Sequence, residues 1–186
     1  MKTTLLLPAL FLLVVLGSAS AAEVEARLLR FSGDIPPLAN LVRLADSRAI
    51  TPSTTFTATL NEKNAFEYRA TKPEEYPTSF DAEGKPEATD KRETGVIFSG
   101  EAQALGKAYT LDLHFRLVER TNTILYPTQS GATIAQPVFR SMDVTHSVKV
   151  ESGDWSLVEV AAAPVATVDQ STPATPDHFV LLVRVR

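Results

Sequence analysis

The sequence predicts a mainly β protein: an antiparallel β-sheet or sandwich of about eight strands with one short N-terminal helix. Three observations predict it. Apolar and polar residues alternate with a period of two through much of the chain, most cleanly from Tyr109 to Val118. One segment alone shows helical spacing: Leu38, Leu41, Val42 and Ala45 fall at i, i+3, i+4 and i+7. Turn-forming clusters separate the alternating stretches, as at Asn61–Asn64 and Glu151–Asp154.

Residues 1–21 read as a targeting segment. Lys2 supplies the positive start, Leu5 to Leu16 is a 12-residue apolar run, and Ala19-Ser20-Ala21 is a small-x-small cleavage site. The run is shorter than the ~20 residues of a membrane-spanning helix. Cleavage before Ala22 leaves residues 22–186 as a single β domain.

Within that domain, Glu23 to Phe31 alternates as a strand, with Val24, Ala26 and Leu28 on one side. The helical stripe follows in Ile35 to Asp46, with Asp34 as the expected cap. Thr51 to Leu60 is a Thr-rich strand carrying Phe56, Ala58 and Leu60 on one face, and Ala65 to Ala70 returns with Phe66 and Tyr68. Thr71 to Arg92 is dense in charge and holds Pro73, Pro77, Gly84 and Pro86, so it reads as a long exposed loop with Tyr76 and Phe80 tucked in. Thr94 to Gln103 and Tyr109 to Val118 are strands, the second burying Tyr109, Leu111, Leu113, Phe115 and Leu117. Thr121 to Ala135 and Ala163 to Asp177 read as a second and a third loop, and His178 to Arg186 as the closing strand.

The chain is organised around Gln136 to Val160, which reads as one hairpin turning at Glu151–Asp154. Val144, His146, Val148 and Val150 share a face, which makes His146 a core histidine. Trp155 opens the return strand and is expected to pack on the hairpin.

Composition limits the function. The formal net charge of −4, without a basic cluster, argues against a nucleic-acid partner. There is no Cys, so an exported chain would be held by its core alone. No second long apolar run follows the first, so any insertion into a membrane would have to use β-strands. No residue set calls for a cofactor.

Taken in order, these pieces resemble the C-terminal secretin domain of type II and type III secretion outer-membrane proteins, in a short form. Gly95-Val96-Ile97-Phe98 is similar to the family's Gly-Val-x-Leu strand, and Leu111 to Glu119 to its alternating strand. Gln136-Pro137-Val138-Phe139-Arg140 with Val144 to Val148 is similar to its Pro-x-Phe hairpin, and Val180 to Arg186 to its end. The similar part covers roughly residues 48–186. The resemblance implies a non-enzymatic envelope protein with a structural, assembly or protein-secretion role, in the periplasm or outer membrane of a Gram-negative-type bacterium. It implies protein partners of the envelope, or self-association by strand edges. Glu159-Val160 stands where the family has a Gly-Gly bend, Ala102 stands in place of a Pro, and Val24 to Asp46 stands where the family has several periplasmic domains. The chain alone is therefore expected to stay in solution as a monomer or small oligomer rather than form a pore.

Two rival functions remain open. A soluble periplasmic β-sandwich binding module would use aromatic residues of the loops, and the candidate partner surface is Tyr76, Phe80, Tyr126 and Pro127. A hydrolase would use Asp112 and His114, two residues apart on one strand face, although no Gly-x-Ser-x-Gly elbow accompanies them. A metal would need His114, His146 and His178 to converge from separate strands. The acidic residues Glu74, Glu75, Asp81 and Glu83 lack the residue order of a Ca²⁺ loop and read as a solvated loop.

Overall fold

The computed structural model describes residues 22–32, 34–47, 49, 54–128, 131, 133–160 and 177–186. The expected targeting segment and nearly all of the expected third loop lie outside them. The elements run β1 Glu23–Ser32, α1 Leu38–Asp46, β2 Thr54–Thr59, β3 Ala65–Phe80, β4 Pro86–Leu105, β5 Ala108–Pro127, β6 Thr133–Glu151, β7 Ser156–Val160 and β8 Asp177–Val185. Eight antiparallel strands in two sheets and one short helix bear out the expected fold class.

The first sheet has the order β2-β1-β8-β7 and the second β3-β4-β5-β6. The period-two alternation places Val24, Ala26 and Leu28 of the first sheet against Phe98, Leu111, Leu113 and Phe115 of the second, all buried. Burying each such side chain contributes about 1.5–3 kcal/mol. Phe56 of β2 ties the layers together: its ring centroid lies 5.0 Å from Tyr68 and 4.9 Å from Phe98.

Two connections differ from the sequence reading. Gln136 to Val160 is no hairpin: β6 stays in the second sheet while β7 pairs with β8 in the first. The polar turn at Glu151–Asp154 is long enough to cross between layers, and sequence alternation does not say which strand a return strand pairs with. The turn at Asn61–Asn64 likewise carries the chain from β2 in one sheet to β3 in the other. Glu159 and Val160, at the position of the expected Gly-Gly bend, continue β7 opposite Val180 and Phe179.

His146 is exposed, not a core histidine. It lies on the outermost strand of its sheet, where neighbouring Val144 and Val148 are themselves only half-buried. Asp34 does not cap the helix. The N-cap is Pro37, with no side-chain capping bond, and the helix is held by packing instead. Leu41 and Ala45 bury against Leu29, Val180 and Leu182 on the outer face of the first sheet, with Trp155 and Leu157 beside them. Trp155 thus belongs to the helix side of the first sheet. The guanidinium carbons of Arg27 and Arg184 each lie 4.5 Å from its ring centroid.

The same outer face carries a buried carboxylate. Glu25 accepts from Arg184 at 2.8 Å and from Arg186, and Arg27 lies 3.5 Å away. Burial by itself raises the pKa of Glu25. Hydrogen bonding and charge from Arg184, then from Arg186, outweigh burial and hold it below its ordinary value.

The largest correction concerns the first two loops. Most of Thr71 to Arg92 and of Thr121 to Ala135 is strand: β3 and β4 run through the first, β5 and β6 through the second. These halves are two-stranded ribbons, so neither face is uniformly buried and no apolar alternation marks them. Cross-strand side-chain pairs accompany the ladder. Thr89 of β4 donates to Glu75 of β3 at 2.9 Å within one ribbon, while Arg120 of β5 donates to Glu74 of β3 at 3.0 Å and so joins one ribbon to the other.

Candidate functional site

The site is built by the way the second sheet ends. β4 and β5 are paired from Leu105↔Ala108 to Gly95↔Val118, and there their register stops. β3 and β4 continue together to Phe80↔Pro86, and β5 and β6 to Pro127↔Thr133. Beyond Gly95 and Val118 the sheet therefore divides into two ribbons, an arm with a fork. Gly95 stands at the division with φ +124°, and a Cβ there would fall 2.1 Å from the Ala70 carbonyl oxygen. Only Gly fits this backbone.

The prolines show which way the strand edges face. Opposed residues in an antiparallel pair either exchange hydrogen bonds or both turn their peptide groups outward. Proline has no N–H, so within a sheet it is confined to outward positions on edge strands. Pro73 opposes Glu93, Pro77 opposes Thr89, and Pro137 opposes Thr123. Glu93, Thr89 and Thr123 thus turn their peptide groups away from their own ribbons, into the fork. Gln136 Nε2 donates at 3.4 Å to the Pro77 carbonyl, which confirms that this carbonyl points away from β4.

Two fork-facing amides are satisfied locally instead of by a strand. The Lys91 N–H donates to Asp90 Oδ1 at 2.7 Å on β4, and the Thr123 N–H donates to Asn122 Oδ1 at 2.7 Å on β5. Two clefts lie against the bases of the ribbons, neither of them lined by both ribbons. One of about 500 Å³ is lined by Arg69, Ala70, Thr71, Lys72, Thr94 and Gly95, and one of about 200 Å³ by Arg30, Glu119, Arg120, Thr121 and Arg140.

All four expected partner-surface residues lie on this arm. Tyr76 and Phe80 belong to β3, and Tyr126 and Pro127 end β5. They do not form one patch. Tyr76 packs on Phe139 of β6, with centroids 5.3 Å apart, and Arg92 lies 5.2 Å from the same ring. Tyr126 is exposed beside Leu125, which is 63% exposed. Sequence reasoning missed Phe139, Arg92 and Asn122. The signal within reach was three prolines inside stretches that now prove to be edge strands.

The chemical alternatives are placed as follows. His114 Nε2 lies 2.8 Å from Asp143 Oδ1 on β6, not against Asp112, and both partners are exposed. His146 sits on β6 and His178 on β8, in different sheets. Among the described residues no group of three or more His, Cys, Asp or Glu is placed to hold a metal ion. Asp81 Oδ1 accepts the N–H groups of Glu83 and Lys85 at 3.0 and 2.8 Å, which makes it a turn residue. Among the described residues no helix is long and apolar enough to cross a membrane.

The fold and the arm define the class of structure: a two-layer antiparallel β-sandwich whose second sheet ends in two separate ribbons, touching through Tyr76 and Phe139, Gln136 and Pro77, and Arg120 and Glu74. No family model matches the chain, and no curated protein matches it. A solved structure similar to it is the Klebsiella pneumoniae type II secretion system outer membrane complex of PulD, PulS and the PulC HR domain. The identity is 11%, the TM-score is 0.35, and the likeness covers 89% of this chain and 37% of that one.

Proposed function

We propose that this chain is a non-enzymatic, exported envelope protein of secretin-domain type, working in secretion or pilus-type assembly through contacts made by its arm. The observation that carries the reading is the forked pair of ribbons, built from strands of 16 to 20 residues that continue past the paired part of their sheet. Such ribbons bury little of their own surface and present unpaired backbone, the usual basis of strand-mediated protein contacts. The order of motifs from Gly95 to Arg186 supports the secretin type, and the segment Leu5 to Leu16 supports export. His114 and Asp143 form an exposed pair on an open sheet face, which favours a structural over a catalytic role.

The test is deletion of the gene in its own host. Lower amounts of secreted or surface-assembled protein, restored by the full chain and equally by a His114→Ala chain, are expected. An unchanged exported proteome would end the assembly reading, and loss of rescue by His114→Ala would favour a hydrolase.

A second reading has its own observation. Leu125 and Tyr126 are 63% and 48% exposed near the tip of the β5–β6 ribbon and suit a soluble periplasmic binding module. Purification from the envelope without detergent, as a monomer, favours this module. A detergent requirement favours membrane association.

A further inference from the structure

We infer that the fork receives an extended, basic strand of a partner protein, inserted between β4 and β5. The inference rests on the reading of the arm as the working surface and names what that surface holds.

The two inner edges offer what a strand needs. Thr89 and Glu93 on β4 and Thr123 on β5 face the fork with backbone groups unused by their ribbons. Lys91 and Thr123 have amides met only halfway, by the side chains of the residues before them. An incoming backbone replaces Asp90 and Asn122 as acceptor. The outer edges are unlike this: Pro73 and Pro77 interrupt β3, and Pro137 interrupts β6. β4 from Glu87 to Thr94 and β5 from Glu119 to Tyr126 contain no proline. Prolines thus blunt the edges that would otherwise pair at random, and leave the inner edges able to donate.

Charge selects the occupant. From Lys72 to Glu93 the β3–β4 ribbon carries seven acidic and four basic residues, while the β5–β6 ribbon carries no charged residue from Thr121 to Phe139. A strand lying between them meets net negative charge on one side and uncharged side chains on the other, so Lys or Arg on that strand is favoured. Among the described residues, a second copy of this chain does not supply such a strand. Its outer strands β3 and β6 are interrupted by proline, and β2 and β7 have six and five residues, all of them already paired.

The experiment titrates the mature chain with a nine-residue peptide of alternating threonine and valine bearing a lysine at each end, followed by calorimetry and amide hydrogen exchange. Exchange at Thr89, Lys91, Glu93 and Thr123 is expected to slow at least about tenfold on saturation. Thr123→Pro and Lys91→Pro remove fork-facing donors but no ladder bond, and each should weaken binding about tenfold or more. Glu75→Pro, at an outward position of β3, should bind as the unaltered chain does. Asn122→Ala uncovers the Thr123 amide and should bind more tightly. Protection confined to the outer edges, full binding by Thr123→Pro and Lys91→Pro, equal binding of a peptide with glutamate in place of lysine, or no binding at millimolar peptide would each overturn the inference. If the gene deletion has its effect and the Thr123→Pro chain still restores it, the fork assignment is wrong and the assembly reading stands.

Discussion

Arg184 Nε donates to Glu25 Oε2 at 2.8 Å across two directly opposed positions of β1 and β8. Glu25 is nearly fully buried, and Arg186 reaches the same oxygen. A carboxylate in this position is tolerated because both guanidiniums remain with it.

The first prediction is therefore a loss of stability in acid. The folded pKa of Glu25 lies below its ordinary value of 4.5. A depressed carboxylate pKa stabilises the fold above the unfolded value, and that contribution disappears as the pH falls through the folded value. The melting temperature should drop below about pH 4.5 more steeply in the unaltered chain than in Glu25→Gln. Near neutral pH, Glu25→Ala should cost about 3 kcal/mol, because it leaves Arg184 without its counter-charge. Parallel acid limbs in melts from pH 3 to 7 would remove Glu25 as the cause.

The core prediction contrasts two neighbours on β5. Leu113 is 1% exposed, while Asp112 points to solvent. Leu113→Ala should destabilise by about 2–5 kcal/mol, and Asp112→Ala by no more than about 0.5. Urea unfolding of both variants decides it. Comparable midpoints would mean that the inner face of β5 is not core.

At the fork, Gly95→Ala should cost about 1–3 kcal/mol, since the new Cβ meets the Ala70 carbonyl and the backbone has positive φ. Gly106 also has positive φ (+68°), but a Cβ there meets nothing within 4 Å. Gly106→Ala should therefore cost less, about 1 kcal/mol. Equal losses would indicate that the close approach at Gly95 relaxes freely.

Proteolysis separates a ribbon from a loop. Glu83 lies in the turn between β3 and β4, while Glu74, Glu75 and Glu93 sit in the ladder. Among these four, endoproteinase Glu-C should cut after Glu83 well before the other three. Simultaneous cutting at all four, read by mass spectrometry, would restore the loop that the sequence suggested.

That suggestion shows where sequence reading succeeds and fails. The sandwich was legible because each of its strands has one wet and one dry face: Leu111, Leu113 and Phe115 alternate with Asp112 and His114. The arm was not legible, because its ribbons have no dry face and their polar residues, such as Glu75 and Thr89, pair across strands instead. Topology was hidden for another reason. Alternation in Trp155 to Val160 marks a strand without naming its neighbour, so β7 read as the partner of β6 when it pairs with β8. Tyr76 and Tyr126 were legible as aromatic residues outside the core, yet the features that shape the arm, Gly95 and the three prolines, carry no side-chain chemistry.

The pairing of β1 with β8 also governs the timing of folding. Glu23 and Arg186 exchange backbone hydrogen bonds of 2.9 Å in both directions, so the middle of the first sheet joins the two extremes of the described chain. A polypeptide that emerges from a ribosome or a translocation channel with its N-terminus leading holds β1 without a neighbour on that side until residues 177–185 arrive. Loop-closure entropy makes so distant a pairing slow. The first sheet therefore cannot close until the last strand has emerged, whereas the second, β3-β4-β5-β6, is contiguous in the chain. In nascent chains arrested before Asp177, β1 should remain sensitive to protease, and early resistance of β1 would show that the first sheet closes without its last strand.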